Sequence, residues 1–328
     1  MLSPRTVLVV AAAVIFDFIN GFHDTANAIA TSVSTRVLTP MRAVVMAAVL
    51  NFVGALVSTE VAKTMGQGIV SPHTVTEAVI LSGLIGAIAW NLLTWYWGLP
   101  SSSSHALVGG IIGAAVAYDG WGVLNLRGLG DIFGSLLASP LVGFFIGLAV
   151  MVMLLWAFRR AIPARINAHF RRLQVVSAAF MAFSHGTNDA QKSMGIITMA
   201  LVTAGYLQTF VVPMWVKLVC AAAMGLGTAV GGWRIIHTIG MRIIRLQPIH
   251  GFAAETSAAA VIQTASHLGL PVSTTHVISS AIMGVGASKR LSAVRWGVAG
   301  NIVLAWVLTP PVAGVLGAIA YTVVGRFL

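Results

Sequence analysis

The chain has 328 residues, of which 58% are hydrophobic and only 8% charged, with a mean hydropathy of +0.92. Ordinary soluble chains carry about 25% charged residues, so a soluble domain of this size is excluded, because its surface would lack charge. The formal net charge of +11 comes from 19 Lys and Arg against 8 Asp and Glu. The basic residues sit in short gaps between apolar runs, the pattern of cytoplasmic loops, so a membrane lipid environment is expected and a nucleic-acid partner is not.

Apolar segments fall at residues 6–35, 43–60, 74–97, 101–118, 132–157, 174–204, 213–232, 249–266, 272–287 and 297–325. Stretches near 20 residues are long enough to span a bilayer, which predicts an all-α polytopic membrane protein. The first run lacks a convincing cleavage site and is expected to be a retained span. The first and sixth segments are too long for one span and carry polar residues at their centres, Gly21 to Asn27 and Gly186 to Lys192. Both are expected to be broken helices, because non-helical backbone at membrane depth lines a cavity or is buried in protein. The segments 101–118 and 272–287 are short and open on hydroxyl-rich runs, so they are either full spans or re-entrant. The single cysteine, Cys220, excludes an internal disulfide and argues against a thiol-ligated metal site.

Two motifs recur in the same order. Gly21-x-x-Asp24 matches Gly186-x-x-Asp189 at an offset of 165 (186 − 21), and Leu99-Pro100-Ser101-Ser102-Ser103-Ser104-His105 matches Leu270-Pro271-Val272-Ser273-Thr274-Thr275-His276 at 171 (270 − 99). The expected organisation is a first repeat over residues 1–158, a basic connector over 159–173 and a second repeat over 174–328, each repeat holding about five segments. The connector carries Arg159, Arg160, Arg165, Arg171 and Arg172, which places it in the cytoplasm. Matched loops carry opposite charge bias: Arg36 and Arg42 lie near 36–42, while its partner near 205–212 has no Lys or Arg. Asp119 and Asp131 lie with a lone Arg127 near 119–131, while its partner near 286–296 has Lys289, Arg290 and Arg295. An odd number of crossings per half produces this swap, so two inverted-topology repeats are expected, with the N-terminus outside an inner, cytoplasmic membrane.

Asp17, Asp24, Asp189 and Glu255 fall inside apolar segments. A charge at mid-bilayer costs about 2.5–3.5 kcal/mol, so such residues are usually functional or paired. Asp24 and Asp189 sit at matched positions, whereas Asp17 is matched by Ala182. The runs after Pro100 and Pro271 read as helix starts, whose hydroxyls either cap free backbone N–H groups or leave them for a ligand. A helix N-terminus binds phosphate-like anions, and two facing starts can surround one small anion. Asp24 and Asp189 would repel that anion unless a cation accompanies it. Together with amide oxygens of Asn27, Asn188 and Gln191 they suit Na⁺ ligation or proton uptake, and Lys192 either pairs with Asp189 or helps hold the anion. His105 and His276 end the hydroxyl runs, either as donors to the anion or as structural histidines. His23, directly before Asp24, is a proton-handling candidate.

Assembled, these residues resemble the inorganic phosphate transporter (PiT) family. The family's first motif, typically G-A-N-D-x-A-N, stands here as Gly21-Phe22-His23-Asp24-Thr25-Ala26-Asn27, and the second, G-x-N-D-x-Q-K, is complete over Gly186–Lys192. The P-x-S-x-[ST]-H pattern occurs in both halves, and Gly251-Phe252-Ala253-Ala254-Glu255 is similar to a further family feature. The resemblance implies symport of inorganic phosphate with H⁺ or Na⁺, no cofactor, and often a homodimer. It also implies phosphate and ion contacts from Asp24, Asn27, Ser102, Ser103, Ser104, Asn188, Asp189, Gln191, Lys192, Ser273, Thr274 and Thr275, with His23 and Glu255 joining Asp24 and Asp189 in cation coupling. His23 replaces the family's usual asparagine, as in a bacterial branch associated with proton coupling and metal–phosphate complexes. The competing expectations are a sulfate or other oxyanion symporter on the same scaffold, a passive anion channel, and an intramembrane hydrolase. Adjacent Ser104 and His105 point about 100° apart on a helix and are poorly placed as nucleophile and base, so no enzyme is expected.

Overall fold

A computed structural model describes residues 2–327, and its secondary structure among them is helical. Twelve α-helices follow in order: α1 Pro4–Ser34, α2 Pro40–Ala55, α3 Glu60–Gly68, α4 Glu77–Trp97, α5 Ser103–Asp119, α6 Leu126–Ala157, α7 Pro163–Thr203, α8 Met214–Val230, α9 Trp233–His237 with a π turn to Arg242, α10 Pro248–His267, α11 Thr274–Ala287 and α12 Trp296–Val324. Four of these (α1, α4, α6 and α12) are long and apolar enough to cross a membrane, as are the bent pairs α2–α3 and α8–α9 if each counts as one span.

Neither long polar-centred segment breaks where the sequence predicts. α1 runs unbroken through Gly21–Asn27 for 31 residues, and α7 through Gly186–Lys192 for 41. The polar residues there project side chains into the protein while the backbone keeps its i→i−4 bonds, so no open main chain is needed. The sharp bends lie instead between α2 and α3, at 74°, and between α8 and α9, at 63°. The basic residues 159–173 are largely helical, since α7 begins at Pro163.

α4–α5 and α10–α11 are helical hairpins. Glu77 and Tyr118, from the far ends of the first hairpin, line one cavity of about 390 Å³. Gln247 and Lys289, at the far ends of the second, line another of about 580 Å³. Each hairpin therefore enters and leaves on one face, and its tip lies inside. Proline and serine set the tips: Ser102 and Ser273 act as N-caps, accepting from the backbone N–H of His105 and His276 at 3.2 Å each.

The helices pair crosswise: α5 packs on α12 and α6 on α11, while α1 packs on α8 and α2 on α7. Lipid tails are as apolar as leucine, so close packing of small residues holds such helices together rather than hydrophobic burial. Indole N–H groups add pinning bonds from α4 and α12, Trp90 Nε1 donating to Thr309 Oγ1 at 2.9 Å and Trp306 Nε1 to the Pro100 carbonyl at 3.0 Å.

The ends of the helices sort charge. Segments 35–42, 156–172, 231–247 and 288–296 carry most of the Lys and Arg and none of the eight carboxylates. They gather on one face: Arg171 donates to the Arg36 carbonyl at 3.0 Å, and Arg295 N to the Ile243 carbonyl at 3.0 Å. Glu60, Glu77, Asp119 and Asp131 belong to the remaining loops and helix ends. On the face opposite the basic one, α1 begins beside α4 and the end of α7, with Thr6 Oγ1 donating to Glu77 at 2.5 Å and Ser3 N to the Tyr206 hydroxyl at 2.7 Å.

Candidate functional site

α1 and α7 carry the site's carboxylates, and the hairpin tips supply its hydroxyls. Asp24 and Asp189 are buried, as are Ser102–Ser104 and Ser273–Thr275. Asp24 accepts from Ser103 of one tip and Thr275 of the other, both at 3.3 Å. Asn27 Nδ2 donates to Thr274 at 3.2 Å and Thr275 at 2.9 Å. Asp189 accepts from Thr274 at 3.1 Å. The tips also touch each other: Ser104 Oγ donates to the Val272 carbonyl at 3.4 Å, and the rings of His105 and His276 lie 4.6 Å apart. Two N-terminal helix ends, separated by some 170 residues, thus converge on one buried place together with both carboxylates.

Charge is balanced unequally. Lys192 Nζ lies 2.5 Å from Asp189 and 2.5 Å from Ser104 Oγ, and donates to the Val272 carbonyl at 3.1 Å. The sequence left Lys192 with two roles, and this geometry gives it the pairing while its ammonium touches the facing tip. His185 Nε2 lies 3.3 Å from Asp189. Asp24 has only a histidine, His23, whose Nδ1 is 2.8 Å away. The other ring nitrogen of His23 is held by Thr94 at 3.1 Å and Ser101 at 3.3 Å.

Other candidates face elsewhere. Gln191 Oε1 accepts from the Ala62 N–H at 3.2 Å, and its amide donates to the Thr187 carbonyl at 2.6 Å. Ala62 lies in the first turn of α3, where backbone donors lack helical partners, so Gln191 caps the bend. Gln191→Leu is accordingly expected to lower stability by about 1–3 kcal/mol, the cost of a buried unsatisfied N–H, read as a lower melting temperature in detergent. Asn188 Nδ2 donates to Ser266 at 2.9 Å, leaving its carbonyl oxygen unpartnered. Glu255 stands apart from both aspartates, where it accepts from Thr31 at 2.5 Å, Gln174 at 3.1 Å and Ser177. Ser102 and Ser273 spend their hydroxyls on caps, as noted above. His276 stacks on Trp306 at 4.0 Å.

Sequence reasoning missed His185, Ser101 and Thr94. His185 lies one helical turn before Asp189, and that i, i+4 spacing was the available signal. Ser101 and Thr94 act only through His23, and nothing in the sequence pairs them with it. One ligand atom each from Asp24, His185 and Asp189 lie within 4.8 Å of one another, a set able to hold a cation between the carboxylates.

The chain matches the profile described as "Phosphate transporter family" over residues 20–317. It is 52% identical over 319 residues to a Bacillus subtilis (strain 168) protein described as "Probable low-affinity inorganic phosphate transporter", covering 96% of each chain. A Rhizobium meliloti (strain 1021) protein of the same description is 51% identical over 320 residues, covering 97% of this chain and 96% of that one. A solved structure titled "The sodium-dependent phosphate transporter" superposes with a TM-score of 0.88 at 28% identity, over 99% of this chain and 100% of that one.

Proposed function

The chain belongs to the phosphate transporter family, and we propose that it carries inorganic phosphate as a secondary symporter coupled to a cation. The observation that carries this reading is the convergence of two capped helix starts, Asp24, Asp189 and Lys192 in one buried site. Helix N-termini and the Lys192 ammonium attract the phosphate anion. The carboxylates repel it until each is balanced. Lys192 already balances Asp189, which leaves Asp24 as the group that needs a cation. Phosphate and cation then bind together or not at all, and that mutual dependence is symport.

The crosswise helix pairing and the two hairpins entering from separate faces support an inverted-repeat organisation with alternating access around the fixed site. The basic, carboxylate-free face supports a cytoplasmic placement of the connector, with the N-terminus outside the inner membrane. A second reading, phosphate carried as a metal complex, is favoured by the Asp24, His185 and Asp189 cluster. The deciding experiment is uptake of labelled phosphate by proteoliposomes under separate inward Na⁺ and H⁺ gradients, with and without Mg²⁺. Accumulation of about tenfold or more under one gradient is expected. Equal, non-accumulative uptake under both would make the protein a passive conduit, and a strict Mg²⁺ requirement would establish the metal complex as cargo.

A further inference from the structure

α1 carries more polar residues than the phosphate site uses. Asp17, Asn20, Asp24, Asn27 and Thr31 are all buried and recur at alternating spacings of three and four, so they form one stripe along a single helix face. Thr31 ends the stripe on Glu255. Asp17 begins it, two turns before Asp24 and about 10 Å away along the axis, toward the α1 N-terminus.

Asp17 is buried to 0% exposure, and its oxygens have only the Ser193 hydroxyl and the Cys220 thiol as nearby donors, in loose geometry, while both polar atoms of Asn20 are unpartnered. No lysine, arginine or histidine pairs with it among the described residues. Ser193 from α7 and Cys220 from α8 lie alongside. The charges that reach it are Asp189 and Lys192 on α7, which already form a pair with each other. An ionised carboxylate in such surroundings is costly, and one loosely placed hydroxyl and a thiol, with no ion pair, do not repay that cost. A hard divalent cation takes about six or more oxygens, and beside its own carboxylate Asp17 has only the Asn20 and Ser193 oxygens and a thiol. A proton needs no shell.

We propose that Asp17 is the proton-carrying station of this transporter, separate from the phosphate site and on its α1 N-terminal side. A proton from water on that face binds one Asp17 oxygen, giving the neutral acid. It returns to water on the opposite side after the site has reoriented, so each cycle transfers one proton without any redox change. The inference rests on the symport reading above and narrows its cation to H⁺, the proton that neutralises Asp24 being taken up first at Asp17.

The test uses the full-length protein in phosphatidylglycerol-containing vesicles, comparing wild type, Asp17→Asn and Asp17→Glu. Three quantities are read: phosphate accumulation under an inward pH gradient, accumulation under a Na⁺ gradient, and gradient-free exchange of labelled for unlabelled phosphate. Asp17→Asn is expected to keep exchange while losing pH-driven accumulation by about tenfold or more, and Asp17→Glu to keep both. Because Asn removes a buried unpaired charge, its melting temperature is expected to match or exceed the wild type, so misfolding does not confound the result. Undiminished pH-driven accumulation in Asp17→Asn, or loss of exchange together with accumulation, would overturn the proposal. Wild-type accumulation under Na⁺ alone would overturn it while leaving symport intact. Absence of accumulation under either gradient would instead remove the symport reading itself.

Discussion

Lys192→Met is expected to abolish phosphate uptake and also to destabilise the protein, whereas Asp24→Asn abolishes uptake alone. Lys192 is buried and balances Asp189 at 2.5 Å, while its ammonium also meets Ser104 on the facing hairpin tip. Replacing it leaves a buried carboxylate without its full cation, since His185 at 3.3 Å compensates only when protonated. Breaking a buried pair by removing one partner costs about 3–5 kcal/mol. The double variant Lys192→Met/Asp189→Asn removes both charges and is expected to regain most of that stability without regaining transport. Asp24 differs because no lysine or arginine pairs with it, its neighbour being His23 at 2.8 Å. An asparagine in its place keeps one acceptor oxygen for Thr275 and turns its amide as a donor to the Ser103 hydroxyl, so the fold persists. What is lost is the charged group that holds the coupling cation, so the cation no longer travels with phosphate and driven uptake stops. Melting temperatures in detergent and uptake of labelled phosphate separate these effects. Normal uptake by either single variant would remove that residue from the site, and an unchanged melting temperature for Lys192→Met would show that the pair contributes nothing to stability.

The second large effect is expected from a single methyl group, Gly186→Ala. At Gly186 a Cβ would overlap the Asn51 carbonyl of α2, and at Gly54 it would overlap the Phe183 carbonyl of α7. The matched crossing of α1 and α8 is as tight: a Cβ on Gly21 would sit 2.6 Å from the Met224 carbonyl oxygen. Backbone cannot yield as a flexible side chain does, so α7 must move away from α2. Gly186 is one turn from Asp189, and His185 is fixed on Asn51 Oδ1 at 2.9 Å across the same crossing. Displacing a positioned group by 1 Å costs about a hundredfold in function, and uptake is expected to fall by that order. Wild-type uptake by Gly186→Ala would mean that the crossing tolerates separation and does not position Asp189. The glycines of the two repeated motifs thus serve helix packing rather than a break in the chain.

That outcome marks the division between what the chain's letters carry and what folding adds. Hydropathy alone fixes a polytopic helical membrane protein, because span length and the cost of charge in lipid are local properties. The duplicated Gly-x-x-Asp and Pro-x-Ser motifs pointed to Asp24, Asp189 and both hydroxyl runs, and the structure brings these together in one place. Whether Gly21–Asn27 interrupts a helix was not legible, since a polar run can be accommodated by opening the backbone or by facing partners on other helices. Those partners, Thr275 and Ser103 for Asp24, lie far away in sequence. The same holds for Gln191, which caps α3, and for Glu255, which satisfies Thr31, Gln174 and Ser177 instead of joining the aspartates. Asp17 looked the weakest of the buried acids because it has no repeat counterpart. Only the packed structure reveals that it is the most weakly held of them, with no charged partner and only a loosely placed hydroxyl and a thiol beside it. Sequence specifies which polar groups enter the membrane, but tertiary packing decides which of them are satisfied, because a buried hydrogen bond depends on distance in space and not on separation along the chain.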